Sequence, residues 1–184
     1  MVACRDLWTG LGTAMRFILV DHIDSLELGR RAEGHKNIAP DEDYFRDHFP
    51  GYPIVPGVLI LESLAQLGGR LVEASVRAAD DRRVLPMLAK VEHAKFLHSV
   101  RPGDRLDLAV DVVAIADDAA RVTGVARVGG RKACVAGIMY AMLDVTKASD
   151  RLDPKEAAAL HAWSDKVWRE LHPEGRGLGK DAAS

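Results

Sequence analysis

The alternation of apolar and polar positions predicts two strands near the start of the chain. The apolar run that opens Phe17–Leu28 is typical of a strand, and Gly29 and Arg30 provide a corner that turns the chain back. A second strand is expected over residues 31–39, and Pro40–Asp43 carries the start signal of a short helical turn. The chain is therefore expected to begin with two strands joined by a tight turn.

Residues 57–76 predict a single long helix that is apolar on nearly every side. Its apolar residues recur at three- and four-residue intervals. They are Val58, Leu61, Leu64, Ala65, Leu71 and Val72. A helix of this kind is normally buried in the core of its protein. Gly68 and Gly69 would each weaken an exposed helix by about 1 kcal/mol, so we expect another element to pack closely against them.

Four more strands are expected after the polar break at residues 80–83. The segments are 84–99, 105–116, 119–128 and 131–145. In the second segment, Leu106, Leu108, Val110 and Val112 alternate with Arg105, Asp107, Ala109 and Asp111. Gly129–Gly130 marks a hairpin between the last two segments. Hairpin connections imply an antiparallel sheet, and wrapping that sheet around the apolar helix buries both. The predicted fold class is therefore α+β, with six antiparallel strands around one central helix.

The two ends of the chain are expected to lie outside this domain. We expect a lead-in over residues 1–15, a domain over 16–146 and a helical extension over 147–184. Asp153 as N-cap and Pro154 at the first helical position predict an extra C-terminal helix with one apolar stripe. The stripe comprises Leu160, Trp163, Val167 and Leu171. The pattern leaves open whether this helix covers part of its own domain or binds a partner.

Composition and charge narrow the range of functions. The 184 residues suffice for one domain with a real core, and the net charge of −2 excludes a general nucleic-acid binder. A local basic patch for an acidic carrier protein remains compatible with this charge. Cys4 and Cys134 are the only cysteines, which indicates two reduced thiols. No run approaches the ~20 apolar residues of a membrane span, and Arg5 and Asp6 interrupt any signal peptide, so we expect a cytoplasmic location.

The first candidate for chemistry is the stiff loop at residues 47–57, which holds three prolines and two glycines. His48 in this loop can act as a base near neutral pH. Glu62, inside the apolar helix, would be kept protonated by burial, which raises the pKa of a carboxyl group. Gly57 opens the helix, where unpaired N–H groups can stabilise an oxyanion. A base, a neutral acid and an oxyanion site suit proton abstraction next to a carbonyl group.

Each of these residues also has an ordinary structural interpretation. A histidine after a loop is often a surface or capping residue, and a glutamate in an apolar helix is often paired or lies at a boundary. Spacing alone does not show that the side chains of His48 and Glu62 meet. His93 and His98 are expected within one strand, five residues apart and therefore on opposite faces. Neither of these two is interpreted as a metal ligand.

The run from His48 to Gln66, HFPGYPIVPGVLILESLAQ, closely resembles the active-site segment of FabZ-type 3-hydroxyacyl-[acyl-carrier-protein] dehydratases. The family pattern HFPG-x-P-x-x-PGVL-x-x-E-x-x-AQ is present here at every fixed position. The segments FILVDHI and AKVEHAKFLHSVRPGDRL extend the similarity, which covers about residues 17–145. The related FabA-type enzymes carry Asp where this chain has Glu62, so the resemblance is to the FabZ side.

The resemblance implies a hotdog fold and an obligate dimer, in which the His of one subunit faces the Glu of the other; many members form a trimer of dimers. His48 would remove a proton from C2 of a (3R)-3-hydroxyacyl thioester, and the Gly57 N–H would hold the thioester oxygen. Glu62 would protonate or orient the leaving hydroxyl group. Gln66 would hold Glu62 or a water, or else satisfy the backbone as a buried polar side chain.

The resemblance also implies the supporting residues and the partner. Phe49, Pro50 and Val58 of the same motif are interpreted as supporting the site, and the elimination requires no metal or redox cofactor. The substrate would be carried on the phosphopantetheine arm of acyl carrier protein, an acidic partner. Candidates for a basic docking rim are Lys95, Arg101 and Arg105. Ordinary solvated charges are the alternative interpretation of these three residues.

Three departures from the family leave chain length and pathway open. Thr13–Phe17 replaces the usual Pro-His-Arg-x-Pro-Phe run, Pro86–Leu88 stands where a gating Tyr is often found, and the chain continues over 147–184. Fatty-acid synthesis and type II polyketide or polyene synthesis both remain compatible. The alternatives are a non-catalytic hotdog acyl-binding or partner subunit and a hotdog thioesterase. The His/Asp pattern of MaoC-type CoA hydratases is not found.

Overall fold

The computed structural model describes residues 17–145 and five exposed helical positions between residues 155 and 162. Within the first range, six antiparallel strands form one sheet around a long helix, which confirms the predicted fold class. The elements are β1 (His22–Glu27), β2 (Arg31–Asn37), a 3-10 turn (Asp43–Arg46), α1 (Gly57–Asp80), β3 (Val84–Phe96), β4 (Arg105–Ile115), β5 (Ala119–Val128) and β6 (Arg131–Asp144). The order across the sheet is β1-β2-β4-β5-β6-β3, so β1 and β3 are its two edges.

The helix α1 forms the centre of the core, as its apolar pattern predicts. It packs against all six strands. Its completely buried side chains are Leu64, Leu67, Leu71 and Val72. The expected close packing occurs at Gly68, where a Cβ would lie 2.5 Å from the Tyr140 hydroxyl. That hydroxyl donates a 2.7 Å hydrogen bond to the carbonyl of Ala65. The small residue therefore brings helix and sheet into direct contact.

The strand periodicity is confirmed at the start of β4. Leu106, Leu108 and Val110 are buried and Arg105 and Asp107 are exposed, but Ala109 departs from the alternation because it is buried as well. Gly129 and Gly130 join β5 to β6 with φ values of 53° and 80°. Positive φ at both central residues is what a two-residue type I′ hairpin requires.

The first strand is shorter than the sequence predicts. Within the predicted stretch, only His22–Glu27 forms a strand, which pairs with β2, and residues 17–20 lie outside the sheet. This stretch is apolar because Leu19 and Val20 are buried, and its backbone bonds to a side chain of α1. The Leu19 N–H donates to Oε1 of Gln66 (2.9 Å), and the Phe17 carbonyl accepts from Nε2 (3.1 Å). Apolar character here indicated burial and not strand pairing.

Other boundaries differ by a few residues. The helix continues to Asp80 and not 76, and it is closed by Asp81, whose φ of 55° is left-handed. The short helical turn lies at Asp43–Arg46, slightly later than predicted. The prediction that His98 lies in a strand is wrong, because β3 ends at Phe96 and His98 belongs to the segment that follows.

The predicted C-terminal helix falls largely outside the described residues. The described positions are Lys155, Glu156, Ala158, Ala159 and Ala162, which are helical and exposed. The N-cap Asp153 and the apolar stripe lie outside the described residues, as does the lead-in over 1–15. Among the described residues, no helix combines the length and the apolar character needed to cross a lipid bilayer.

Candidate active site

Backbone hydrogen bonds fix His48 in the loop that precedes α1. Its N–H donates to the carbonyl of Tyr44 (3.0 Å), and its own carbonyl accepts from the N–H of Ile54 (3.3 Å). Between these points, Phe49 and Tyr52 exchange N–H···O bonds of 3.3 and 2.8 Å. The imidazole stacks on the Phe49 ring with a centroid separation of 4.1 Å. The proline-rich loop therefore presents this histidine in one orientation.

The start of α1 lies beside this loop. The Pro56 carbonyl accepts the first helical hydrogen bonds, from Leu59 and Ile60. Among the described residues, none accepts a hydrogen bond from the N–H of Gly57 or Val58. Such orphan donors, together with the helix dipole, favour a negative charge at the helix start. The backbone therefore leaves unpaired N–H donors where the sequence predicted an oxyanion position, and that role stays a prediction.

His48 and Gly57 line the same cleft, which has a volume of about 470 Å³ and is called here the His48 cleft. Its walls are the loop, the first turn of α1 and the segment that follows β3, and most of the lining side chains are apolar. Three of them are unusually open to solvent: Val58 (66% exposed), Phe96 (52%) and Leu97 (57%). Exposed apolar groups clustered around a cleft mark a surface that another molecule covers.

Glu62 lies further along α1 and is half-buried, which is less than the full burial assumed from the sequence. Gln66, one helical turn later, donates from Nε2 to Oε1 of Glu62 (3.1 Å). The same amide is held by the backbone of Phe17 and Leu19. Gln66 therefore satisfies backbone groups and orients the Glu62 carboxyl group at the same time.

Glu62 lines a second cleft, with a volume of about 150 Å³, called here the Glu62 cleft. Its helical wall is formed by residues on one face of α1, spaced three or four apart. They are Glu62, Ala65, Gln66, Gly69, Arg70 and Glu73. The opposite wall comes from Leu85, Pro86 and Leu88 of β3 and from Tyr140 of β6. This cleft therefore follows the helix away from the candidate acid.

One chain does not place the candidate base and the candidate acid in the same cleft. His48, Gly57 and Val58 line the first cleft, and Glu62 and Gln66 line the second. Each cleft therefore holds half of the chemistry that the motif indicates. The remaining motif residues, Phe49 and Pro50, are exposed in the loop.

Two residues at these clefts have no strong sequence signal. The buried Tyr140 anchors the wall of the Glu62 cleft through its bond to Ala65. Burial, and then the nearby Glu62 charge, raises the pKa of Tyr140, so its hydroxyl keeps its proton. His98 lines the His48 cleft. His98 reaches the cleft because β3 ends at Phe96, and the local sequence pattern does not predict where that strand ends.

The three candidate docking residues have different surroundings. Lys95 and Arg101 are exposed and directly adjoin residues that line the His48 cleft. The Arg101 guanidinium lies 4.7 Å above the ring of Tyr52 and donates to its hydroxyl (2.6 Å). Arg105 lies elsewhere, at the start of β4, where it pairs with Asp107 at 2.8 Å.

Arg105 also joins a polar cluster of His22, Asp24 and His35, whose possible ligand atoms lie within 4.8 Å of one another. Its Nη2 lies 3.1 Å from Nδ1 of His35 and 3.4 Å from the Asp24 carboxylate. Burial raises the pKa of Asp24, but hydrogen bonds from His35 and His22 outweigh it and hold the pKa below its usual range. Because a guanidinium already supplies the positive charge, the cluster is a salt-bridge network.

Comparison with known proteins identifies the family. The FabA-like domain family matches residues 11–136. A 3-hydroxyacyl-[acyl-carrier-protein] dehydratase FabZ from Bacillus velezensis is 41% identical over 126 residues, which cover 68% of this chain and 87% of the relative. The protein of the same name from Halalkalibacterium halodurans is 37% identical over 142 residues, covering 77% of this chain and 99% of the relative.

The fold has a solved counterpart as well. The dehydratase heterocomplex ApeI:P from Xenorhabdus doucetiae superimposes with a TM-score of 0.61, covering 83% of this chain and 99% of that one. At 14% identity, this likeness shows the fold alone. The family match spans well over half of the chain, and the curated relatives align over most of their own length. The chain therefore belongs to the FabA-like family of hotdog-fold proteins and lies on its FabZ side.

Proposed function

We propose that the chain removes water from (3R)-3-hydroxyacyl-[acyl-carrier-protein] thioesters to give the trans-2-enoyl products. The observation that carries this proposal is the His48 cleft, where an oriented imidazole and the open start of α1 at Gly57 line one space. Relatives at 37–41% identity bear the name of this dehydratase. They do not favour a thioesterase or a non-catalytic subunit.

The proposed elimination divides into two bond-breaking events. His48 accepts the C2 proton, and the electron pair of that C–H bond moves towards the thioester carbonyl, whose oxygen is held by the Gly57 N–H. The pair then forms the C2–C3 double bond as the C3–O bond breaks, and Glu62 gives its proton to the departing hydroxyl to form water. Acid–base groups of this kind each contribute roughly 10²–10⁴-fold. The reaction is redox-neutral, so we assign no redox cofactor to it. We assign no metal, because His48 and Glu62 supply both proton transfers and the Gly57 N–H holds the thioester oxygen in the proposed step.

We further propose a homodimer in which His48 of one subunit meets Glu62 of the other. This arrangement is supported by the separation of the two residues into different clefts of one chain. The proposed contact surface between the subunits is the β3 edge and the adjoining segment, because apolar side chains are exposed there. They are Met87, Leu88, Phe96 and Leu97. An edge strand with apolar side chains is an available surface for pairing with another chain. Assembly into a trimer of dimers is an additional proposal.

The carrier protein is proposed to dock at the mouth of the His48 cleft. Lys95 and Arg101 are exposed there, and their positive charges suit an acidic partner. Arg105 is proposed as a weaker contributor, because its guanidinium is engaged with Asp107 and Asp24. We assign the dehydratase domain to residues 16–146 and keep the helical extension over 147–184 and the cytoplasmic location as predictions.

A mass-spectrometric assay tests the proposed function. Wild type, His48→Ala and Glu62→Gln are incubated with short and medium (3R)-3-hydroxyacyl thioesters of acyl carrier protein. We expect the mass loss of one water molecule with wild type and its near absence with both variants. Release of free hydroxy acid would indicate a thioesterase. No reaction on any substrate by a folded dimer would overturn the proposal in favour of an acyl-binding subunit.

A further inference from the structure

The Glu62 cleft leads to an ion pair. Nη1 of Arg70 lies 3.1 Å from Oε2 of Glu73, and the two side chains are 19% and 4% exposed. Both residues line the cleft. Glu73 is three helical turns beyond Glu62, or about 16 Å along the axis. The pair is therefore part of the cleft wall and lies at the end remote from the candidate acid.

We assign the Glu62 cleft as the route of the acyl chain of the substrate, and this step rests on the proposed function. If Glu62 acts at C3, the carbons beyond C3 extend away from it. In the part of the chain that the structure describes, the cleft that begins at Glu62 continues along α1 past Gly69 to Arg70. A Cβ at Gly69 would meet Tyr140 at 3.9 Å and Pro86 at 4.0 Å. The passage at this point is therefore open because residue 69 has no side chain.

A long saturated tail fits poorly at the far end of this passage. Alkyl carbons there would exclude water from the Arg70 guanidinium, whose side chain is 19% exposed, without offering hydrogen bonds in return, which is unfavourable. A hydroxyl or keto oxygen at the same position can accept a charge-assisted hydrogen bond from the guanidinium. A short tail avoids the pair altogether.

We infer that the Arg70–Glu73 pair is a specificity determinant, which selects acyl chains that are short or oxygenated at their far end against long saturated chains. The substrate class is therefore a 3-hydroxyacyl thioester from a chain-extension sequence that leaves oxygen on the carbons added earlier. A series of extension reactions that fully reduces each added two-carbon unit would deliver saturated tails, which this cleft disfavours.

The test compares three carrier-protein thioesters: (3R)-3-hydroxybutyryl, (3R)-3-hydroxyhexadecanoyl, whose extended tail is long enough to reach Arg70 and Glu73, and its analogue with a further hydroxyl near the tail end. The variant is Arg70→Met combined with Glu73→Leu. Both residues are replaced together because removal of one partner would leave a buried charge. We expect wild type to favour the butyryl and dihydroxy substrates. In the double variant, the kcat/KM ratio of hexadecanoyl to butyryl should rise by about tenfold or more, within the range that apolar pocket contacts discriminate.

A second variant keeps the inference testable if the double variant folds poorly. Gly69→Ala adds one methyl group at ordinary contact distance and narrows the passage before the pair. It should lower the hexadecanoyl-to-butyryl ratio, opposite to the double variant. Equal use of hexadecanoyl and dihydroxyhexadecanoyl substrates by wild type would overturn the inference, as would a ratio that neither variant changes.

The experiment separates this inference from the proposed function. Turnover of the butyryl substrate by wild type tests the dehydratase itself. If no substrate reacts, dissociation constants are measured by calorimetry for non-reactive thioether analogues of the same three acyl chains. A wild-type preference for the short and oxygenated analogues, lost in the double variant, would support the inference without turnover. Equal affinities for all three would overturn it.

Discussion

The His48 cleft and the Glu62 cleft differ in size, in lining and in how far this chain completes them. The first is about 470 Å³ and is bordered by exposed apolar side chains. The second is about 150 Å³ and is bordered by carboxyl, amide and guanidinium groups that already have partners. The candidate base thus lies in an open apolar space, and the candidate acid lies in a narrower one whose helical wall carries charged and amide groups.

This difference indicates how the site is divided. The loop around His48 is held by its own backbone bonds, so the base is oriented before any partner arrives. The Glu62 carboxyl group is held by Gln66, but its half-buried position leaves one side open. Each half is preorganised, and in the proposed dimer the partner subunit would supply the opposite half. Dimerisation would then complete two sites and cover the exposed apolar rim.

The largest expected effect comes from separating the halves genetically. His48→Ala and Glu62→Gln should each lower kcat/KM by roughly 10²–10⁴-fold. Co-expressed with different affinity tags, the two variants should form mixed dimers with one intact site. Random mixing predicts recovery of about a quarter of wild-type activity in the total preparation, since a two-fold dimer has two equivalent sites.

The control for this complementation is His48→Ala co-expressed with the His48→Ala/Glu62→Gln double variant, which contains no intact histidine and should stay inactive. A mixed dimer of the two single variants that is no more active than either variant alone would show that base and acid act within one chain. The two clefts would then not be halves of one site shared between subunits.

Gly57→Ala should disable the oxyanion position in the His48 cleft. The added Cβ would lie 2.9 Å from the Phe96 ring, so the helix start or the ring must move. Displacement of one backbone donor is expected to lower kcat by about 10²-fold, with a small change in melting temperature because Phe96 is half exposed. The combination with Phe96→Ala removes the clash and should recover part of the activity. Full activity of Gly57→Ala alone would argue against this role.

Gln66→Leu should lower both the catalytic activity that depends on Glu62 and the stability of the segment at residues 17–20. Loss of the bond to Glu62 is expected to lower kcat about tenfold, and loss of the bonds to Phe17 and Leu19 should destabilise the fold by about 1–3 kcal/mol. Gln66→Glu is the matched control, since it retains an acceptor for the Leu19 N–H but cannot donate to Glu62. Its activity should fall with a smaller loss of stability in urea unfolding. Equal stability losses in the two variants would contradict this division of roles.

Two adjacent glycines in α1 should respond in opposite ways to the same substitution. Gly68→Ala forces a methyl group to within 2.5 Å of the Tyr140 hydroxyl, and overpacking of this kind destabilises by about 1–3 kcal/mol. Gly69→Ala meets its neighbours at 3.9 Å or more and should stabilise by up to about 1 kcal/mol through helix propensity. Melting temperatures measured by circular dichroism check both signs. A stabilising Gly68→Ala would show that helix and sheet are not in close contact there.

The smallest expected effect is a pH dependence of the free energy of unfolding that arises from Cys134. This residue lies opposite Phe96, a residue of the His48 cleft, in the pairing of β3 with β6. Burial raises the pKa of the Cys134 thiol from its ordinary value of 9.0 to about 11. The native thiol therefore keeps its proton while the unfolded thiol loses it, so the free energy of unfolding should fall as pH rises through this interval. Cys134→Ala should show a shallower fall in urea titrations. Identical slopes would contradict a buried thiol.

Several features could be predicted from the sequence because neighbouring residues determine them. The helix start at Gly57, the β5–β6 hairpin at Gly129–Gly130 and the alternation in β4 all follow from local periodicity and turn chemistry. The errors arose where distant contacts decide. The apolar residues Leu19 and Val20 are buried outside the sheet, and the end of β3 before His98 depends on its pairing with β6.

The sequence by itself determined the order of elements, the fold class and the motif that identifies the family, because these depend on residue types at short, regular spacings. Only the tertiary structure decided that His48 and Glu62 line different clefts, that Gln66 holds the carboxyl group, and that Arg70 and Glu73 lie on the wall beyond it. These relations depend on which helix face meets which strand and where the sheet leaves an edge. Packing across the whole chain sets both, and no local pattern records them.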